Sequence, residues 1–264
     1  DPADYFRRGA FFPHPEQPDR AAQLEAALRG AGHDLEPPND HGLGPIFAVH
    51  AETYVQFLRT AWSRWCDATG GHLPAVPNAH PGRRSSGIPE DIFGQLGYFT
   101  TDTACPIVAG TWEAIYWSAQ SAVEAASRVL AGERAVYALC RPPGHHASID
   151  ASNGFCFLNN AAMAAQRLRT RYARVAILDI DTHAGNGTQD IFYRRNDVFF
   201  ASVHVDPGVY PPYYAGYADE RGEGDGTGCT LNTILSPGQG DDEACSAVDR
   251  ALAAIASFEP GGLV

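Results

Sequence analysis

The chain has 264 residues, 44% of them hydrophobic, which is enough to fill the core of one large α/β domain. Nineteen basic residues against 31 acidic ones give a formal charge of −12 with no Lys/Arg cluster, which argues against the positive footprint of non-specific nucleic-acid binding. Six cysteines are scattered without a C-x-x-C pair, and neither a signal peptide nor an 18-residue apolar span occurs, so a reduced, cytoplasmic protein without membrane association is expected.

Residues 1–18 are aromatic and proline-rich and read as an extended loop. Asp19 is placed to cap a helix running to about Arg29, with Gly30 and Gly32 ending it and Leu24 and Leu28 on its core face. A second helix is expected from Ala51 to Asp67, where Tyr54, Phe57, Leu58, Trp62 and Trp65 form an aromatic stripe of the core type. Residues 69–89 are the least regular stretch, and a loop of about 20 residues inside a compact domain is usually functional or disordered. His72 and His80 within it have no partner at metal-site spacing. A long helix follows from Ala109 to Leu130, closed by Gly132, and the apolar run 135–139 reads as a strand.

The strand is expected to deliver Arg141-Pro-Pro-Gly-His-His-Ala147, a stiff loop carrying the adjacent histidines His145 and His146. Residues 153–160 then form an aromatic loop entering a helix from Asn159 to about Arg171, with the small face Ala161, Ala162, Ala164 and Ala165. Val175 to Leu178 is an unbroken apolar run of the kind that forms a strand buried on both faces. Asp179, Asp181 and His183 follow at period two, on one side of an extended chain, where oxygen and imidazole donors suit zinc. The bland alternative has the carboxylates capping a helix and His183 solvated. A short helix from Thr188, a strand over 198–203, an aromatic loop over 206–214, a flexible glycine-rich stretch over 222–228 and a helix over 244–258 complete the pattern, and 261–264 reads as the approach to another strand. Alternating strands and helices predict a mostly parallel sheet with helices on both faces.

Taken together, RPPGHHA, NGFCFLNNAAMAAQ and VAILDIDTHAGNGTQDIFY resemble the zinc-dependent deacetylases, a family that includes histone deacetylases and acetylpolyamine amidohydrolases. The likeness is greatest to the bacterial acetylpolyamine amidohydrolases and extends through ETYVQFLRTAWSRW, GIPEDIFGQLGY, AGTWEA and DVFFASVHVDP. It implies a three-layer arginase/deacetylase-like α/β fold, a single domain over 1–264, and hydrolysis of a small acylated amine of the acetylpolyamine or acetyl-lysine type. It makes Asp181 and His183 ligands of one zinc ion, His146 the general base and acid, and His145 its electrostatic or relay partner. Asp179 would orient His145, and Asn186 stands where some deacetylases pair an Asp with the second histidine. Gly154, Phe155 and Tyr210 would form the substrate tunnel. Asp179, Asp181, His183, Ser202 and Val203 would hold K+ or Na+. The third zinc ligand and the catalytic tyrosine of the family are expected after Val264, so the chain reads as truncated there. The 69–89 loop is expected to mediate a homodimer or higher assembly.

Two departures bear on substrate and metal. Where relatives carry acids that attract a distal ammonium, this chain has Phe93 and Ala104. An arginase-like two-metal site needs a bridging carboxylate two residues past the histidine, where Gly185 stands, so a single metal is expected. A non-catalytic acyl-ligand-binding protein of the same fold is the alternative from another class.

Overall fold

The computed structural model describes residues 2–7, 9–81 and 87–264. It divides into two compact units, one of Asp1–Glu124 with Tyr137–Asn160, the other of Ala125–Val136 with Ala161–Val264.

The first unit opens on an antiparallel hairpin, β1 (Asp4–Arg7) and β2 (Ala10–Pro13), where the sequence predicts a loop. Tyr5 pairs with Phe12 and Phe6 with Phe11, so cross-strand aromatic contact holds a pair too short for a clear period-two pattern. Helix α1 (Pro18–Gly30) starts after Gln17, and Asp19 lies in its first turn instead of capping it. Pro18 occupies the start, where a missing N–H costs nothing. The helix buries none of its residues, and Leu24 is exposed, contrary to the core face expected there. Two leucines among alanines give that face little apolar area to bury.

After a single turn, α2 (Gly44–Phe47), helix α3 (Glu52–Thr69) buries Tyr54, Phe57 and Leu58 as the stripe predicts, while Trp62 and Trp65 are half-buried. The Tyr54 phenol donates to the Phe157 carbonyl at 2.7 Å, satisfying its one polar atom in the core. Helix α4 (Ile92–Phe99) was not evident, because Gly94 and Gly97 lower its intrinsic propensity. Packing requires Gly97: a Cβ there would stand 1.8 Å from the Ala79 carbonyl oxygen. Asp91 caps α4 by accepting the Phe93 N–H at 2.8 Å. Of the 69–89 loop, residues 82–86 lie outside the described residues, and Ala75 bridges to Ile107.

Helix α5 (Thr111–Ala131) matches its expected span. The run 135–139 is not a strand; it has no ladder partner among the described residues, and Tyr137 is exposed. An apolar run states a preference for the extended form, but only pairing makes a strand.

In the second unit, after α6 (Asn160–Leu168), β3 (Val175–Asp179), β4 (Val198–Val205), β5 (Thr230–Leu235) and β6 (Gly262–Leu263) form a wholly parallel sheet in the order β5-β4-β3-β6. Helix α7 (Asn186–Phe192) follows β3, and α8 (Asp241–Phe258) precedes β6. Ala247, Ala251 and Ile255, four residues apart on α8, pack with Ala176, Phe199, Ala201 and Val203. The alternate residues Phe200, Ser202 and His204 face the other way and are buried too. Burial on both faces is why these strands read as unbroken apolar runs. β5 escaped notice because Thr230, Asn232 and Thr233 interrupt it. No helix among the described residues is long and apolar enough to cross a membrane.

One core histidine couples the fold to pH. His50 is buried, its Nε2 accepts the Asn159 N–H at 2.9 Å, and its Nδ1 faces the Ile149 carbonyl at 3.3 Å. Burial drives its pKa from 6.5 down to about 4. The neutral ring is the one that fits, so stability is full above pH 6.5 and declines as pH falls toward 4, by on the order of 3 kcal/mol. Urea melts at pH 7 and 4.5 should show the loss, and His50→Gln should shrink it; an equal loss in the variant removes His50 as its source.

Candidate active site

Strand β3 ends at Asp179, and its side alternation carries Asp179 onto the face opposite α8, in register with Ser202 of β4. Two successive Asx-type turns then shape the strand exit. The Asp181 N–H donates to Asp179 Oδ1 at 3.0 Å, and the His183 N–H donates to Asp181 Oδ1 at 2.8 Å. These bonds bring Asp181 Oδ1 within 3.0 Å of His183 Nδ1. Two donors on one tetrahedral zinc ion, each at its usual bond length, stand about 3.3 Å apart. The two side chains therefore fit as a ligand pair for a single ion, partly exposed so that further ligands can approach. Among the described residues no group of three or more His, Cys, Asp or Glu side chains is arranged to hold a metal. Tyr210 stacks on the His183 ring, centroids 4.9 Å apart at 25°, which limits how that imidazole can turn.

Gly185 has a physical reason to be glycine. A Cβ there would meet Asp179 Oδ2 at 2.2 Å and the Phe200 ring at 3.1 Å. A carboxylate at this position would have to displace the Asp179 side chain. Asn186 starts α7 beside it.

Sequence reasoning missed His204. Its Nε2 lies 2.8 Å from the Gly216 carbonyl, so that nitrogen carries the proton, and its Nδ1 accepts from the Ser202 hydroxyl at 2.8 Å. The Ser202 proton is thereby turned away from the oxygen's lone pairs, which suits a hydroxyl expected to coordinate a cation. A polar residue between Val203 and Val205 in a buried strand was the available signal.

In the first unit, His145 and His146 lie with ring centroids 4.0 Å apart, and His146 is buried. Asn153 and Cys156 exchange backbone hydrogen bonds around Gly154 (φ 52°) and Phe155 (φ 71°). Positive φ at both central residues makes a type I′ turn, with Phe155 at its tip. Gly154 lies against the base candidate: a Cβ there would be 2.3 Å from His146 Cδ2. Phe155 packs edge-on against Tyr5 of β1 and His14, at 5.5 and 4.9 Å. With residues 1–18 read as a loop, neither Tyr5 in the hairpin nor His14 just after it could be recognised as a partner of Phe155. Asp102 was missed as well; its Oδ2 accepts the Gly154 N–H at 2.8 Å, and its Oδ1 the Ala104 N–H at 2.9 Å. Burial pushes the Asp102 carboxyl up, while the two amides pull it back. His80 is a structural loop residue, as expected, with Nδ1 at 2.6 Å from the Thr100 carbonyl.

The histone deacetylase domain model matches residues 14–264. The chain is 49% identical to acetylpolyamine amidohydrolase 1 of Pseudomonas aeruginosa, over 94% of this chain and 73% of that protein. It is 46% identical to acetylpolyamine amidohydrolase of Mycoplana ramosa, over 97% and 76%. The crystal structure of the acetylpolyamine aminohydrolase of Burkholderia pseudomallei superposes with a TM-score of 0.96 at 44% identity, covering 100% of this chain and 77% of that one. The chain belongs to the histone deacetylase domain family. Its α/β fold is the arginase/deacetylase one that the motifs imply, and its enzyme class is that of these amidohydrolases.

Proposed function

We propose that the protein hydrolyses small acetylated amines, acetylpolyamines among them, to acetate and free amine, with one zinc ion per active site. The observation that carries this reading is the convergence of Asp181 Oδ1 and His183 Nδ1 at the end of β3. Zinc held by these two, with further ligands, would polarise the amide carbonyl and lower the pKa of a bound water. His146 would act as base toward the attacking water and as acid toward the departing amine, with His145 as its electrostatic partner. Asp179 and Asn186 orient the histidines. Phe155, Gly154 and Tyr210 line the alkyl chain and exclude water. The carbonyls of Asp179, Asp181, His183 and Val203, with the Ser202 hydroxyl, would hold K+ or Na+. The proposal includes a cytoplasmic location and a homodimer or larger assembly through the 69–89 loop.

Selectivity among amines follows from the rim. Phe93 is exposed and packs edge-on against Trp65 at 5.4 Å, so it offers an aromatic face but no charge. Nearby acids do not replace the missing pair readily: Asp102 is bonded to backbone amides and Asp91 caps α4, which leaves the exposed Glu90. A partly exposed ion pair contributes roughly 1 kcal/mol or less, so losing two weakens a preference for polyamines without abolishing binding. We expect acetyl-lysine substrates to be hydrolysed at least as well as acetylputrescine and acetylspermidine. Measuring kcat/KM for both sets at low and moderate salt tests this. A preference for the acetylpolyamines of about tenfold or more, shrinking as salt rises, would reveal an acidic gate and overturn the expectation.

A further inference from the structure

We infer that Asp102 is a positioning residue for the deacetylation, its carboxylate holding the Gly154–Phe155 turn against the imidazole of His146. The inference rests on His146 being the general base.

The segment around Asp102 is laced to the strand-like stretch before the turn. Ser152 N–H donates to the Phe99 carbonyl at 2.9 Å, Thr101 N–H to the Ser152 carbonyl at 3.0 Å, and the Asn153 side-chain amide to the Thr101 hydroxyl. The last bond of the series runs from Gly154 N–H to Asp102 Oδ2 at 2.8 Å. It therefore ends on the residue whose α-carbon lies against the His146 ring. There a Cβ would sit 2.3 Å from Cδ2 and 3.0 Å from Nε2, so any shift of the Gly154 backbone is felt at the imidazole.

The turn needs such an anchor. Phe155 is held at φ 71°, in the left-handed region that a residue with a Cβ adopts only against steric resistance. A carboxylate accepting a backbone N–H makes one of the stronger hydrogen bonds available to oppose that strain. The second oxygen accepts the Ala104 N–H at 2.9 Å, so Asp102 is itself fixed by its own loop. Only a carboxylate serves both amides. An asparagine of the same size accepts one N–H and presents its own N–H groups to the other.

The test is a double-mutant cycle on the zinc-loaded enzyme, using Asp102→Asn, Gly154→Ala and the pair, with kcat and KM measured separately on one acetylated amine. Asp102→Asn is expected to lower kcat by about tenfold or more, because small misplacements of a catalytic group are costly, while leaving KM nearly unchanged. Since both changes act on one turn, the pair should be little worse than the worse single variant. NMR resonances of the His146 imidazole, assigned with His146→Ala, should shift in Asp102→Asn; this readout is independent of turnover. Should Asp102→Asn fail to fold, Asp102→Ser, whose hydroxyl is one bond shorter and so withdraws the acceptor from the Gly154 N–H, should shift the same resonances. An active wild-type enzyme with multiplicative effects in the cycle, or with unmoved His146 resonances, overturns the inference alone. Wild-type enzyme that leaves every acetylated amine intact sinks the functional reading, and the catalytic part of this inference with it.

Discussion

Replacing His146 with alanine should lower turnover of an acetylated amine by a factor on the order of 10² to 10⁴ while zinc stays bound. The reason lies in where the ring sits. His146 is buried, packed beside His145 at 4.0 Å and against the Gly154 backbone, so its orientation is restricted before substrate arrives. A base held this way supplies proton transfer without first paying to order itself. On the proposed mechanism its removal would leave the metal and the tunnel to bind substrate, so the loss should appear in kcat and far less in KM. His145→Ala should be the milder change, because that ring acts on charge and not on the transferred proton. Steady-state kinetics with a fluorogenic acetyl-lysine substrate, alongside elemental analysis of the same preparations, gives both quantities. Activity that survives in metal-loaded His146→Ala removes the residue from its role.

Asp181→Ala should instead empty the metal site. With Asp181 Oδ1 and His183 Nδ1 at 3.0 Å, the carboxylate provides the only negative charge of the pair. Changes to the partners that merely orient metal ligands already cost about 10- to 100-fold in affinity, and loss of a charged ligand should exceed that. The dialysed wild-type enzyme should carry one zinc per chain and Asp181→Ala almost none, with activity falling in proportion. Gly185→Asp should act the same way, because its side chain has to enter the space of the Asp179 carboxylate. Two metals per chain in wild type would revive the two-metal alternative. A second metal gained by Gly185→Asp would show that Asp179 yields where the structure says it resists.

Much of the candidate site was legible because it is written in short, contiguous motifs. The period-two rule after a buried strand singled out Asp179, Asp181 and His183, but β3 ends at Asp179, and two Asx turns bring Asp181 and His183 together. The Pro-Pro-Gly loop drew notice to the histidine pair, but its candidate roles came from the family resemblance. The elements read correctly, α3, α5, α8 and the strands β3 and β4, are those whose apolar spacing continues for enough residues to reveal its period. The errors have local causes. Gly94 and Gly97 disguised α4, whose glycine at 97 answers to the Ala79 carbonyl and not to helix propensity. The run 135–139 had the composition of a strand without a described partner to pair with.

By itself, then, the sequence determined the family and the parallel α/β class and placed candidate donors at the end of β3, because chemistry-bearing residues within a few positions of one another share one piece of backbone. Tertiary structure alone decided what meets across long stretches of chain. Asp102 reaches Gly154, and Tyr5 and His14 reach Phe155, only after the hairpin and the 99–102 segment have packed. His204 can orient the Ser202 hydroxyl only because Gly216 comes back to take its other nitrogen. A hydrogen bond requires its two atoms within about 3 Å, and no periodicity in sequence encodes a separation in space that the folding of the intervening chain has to create.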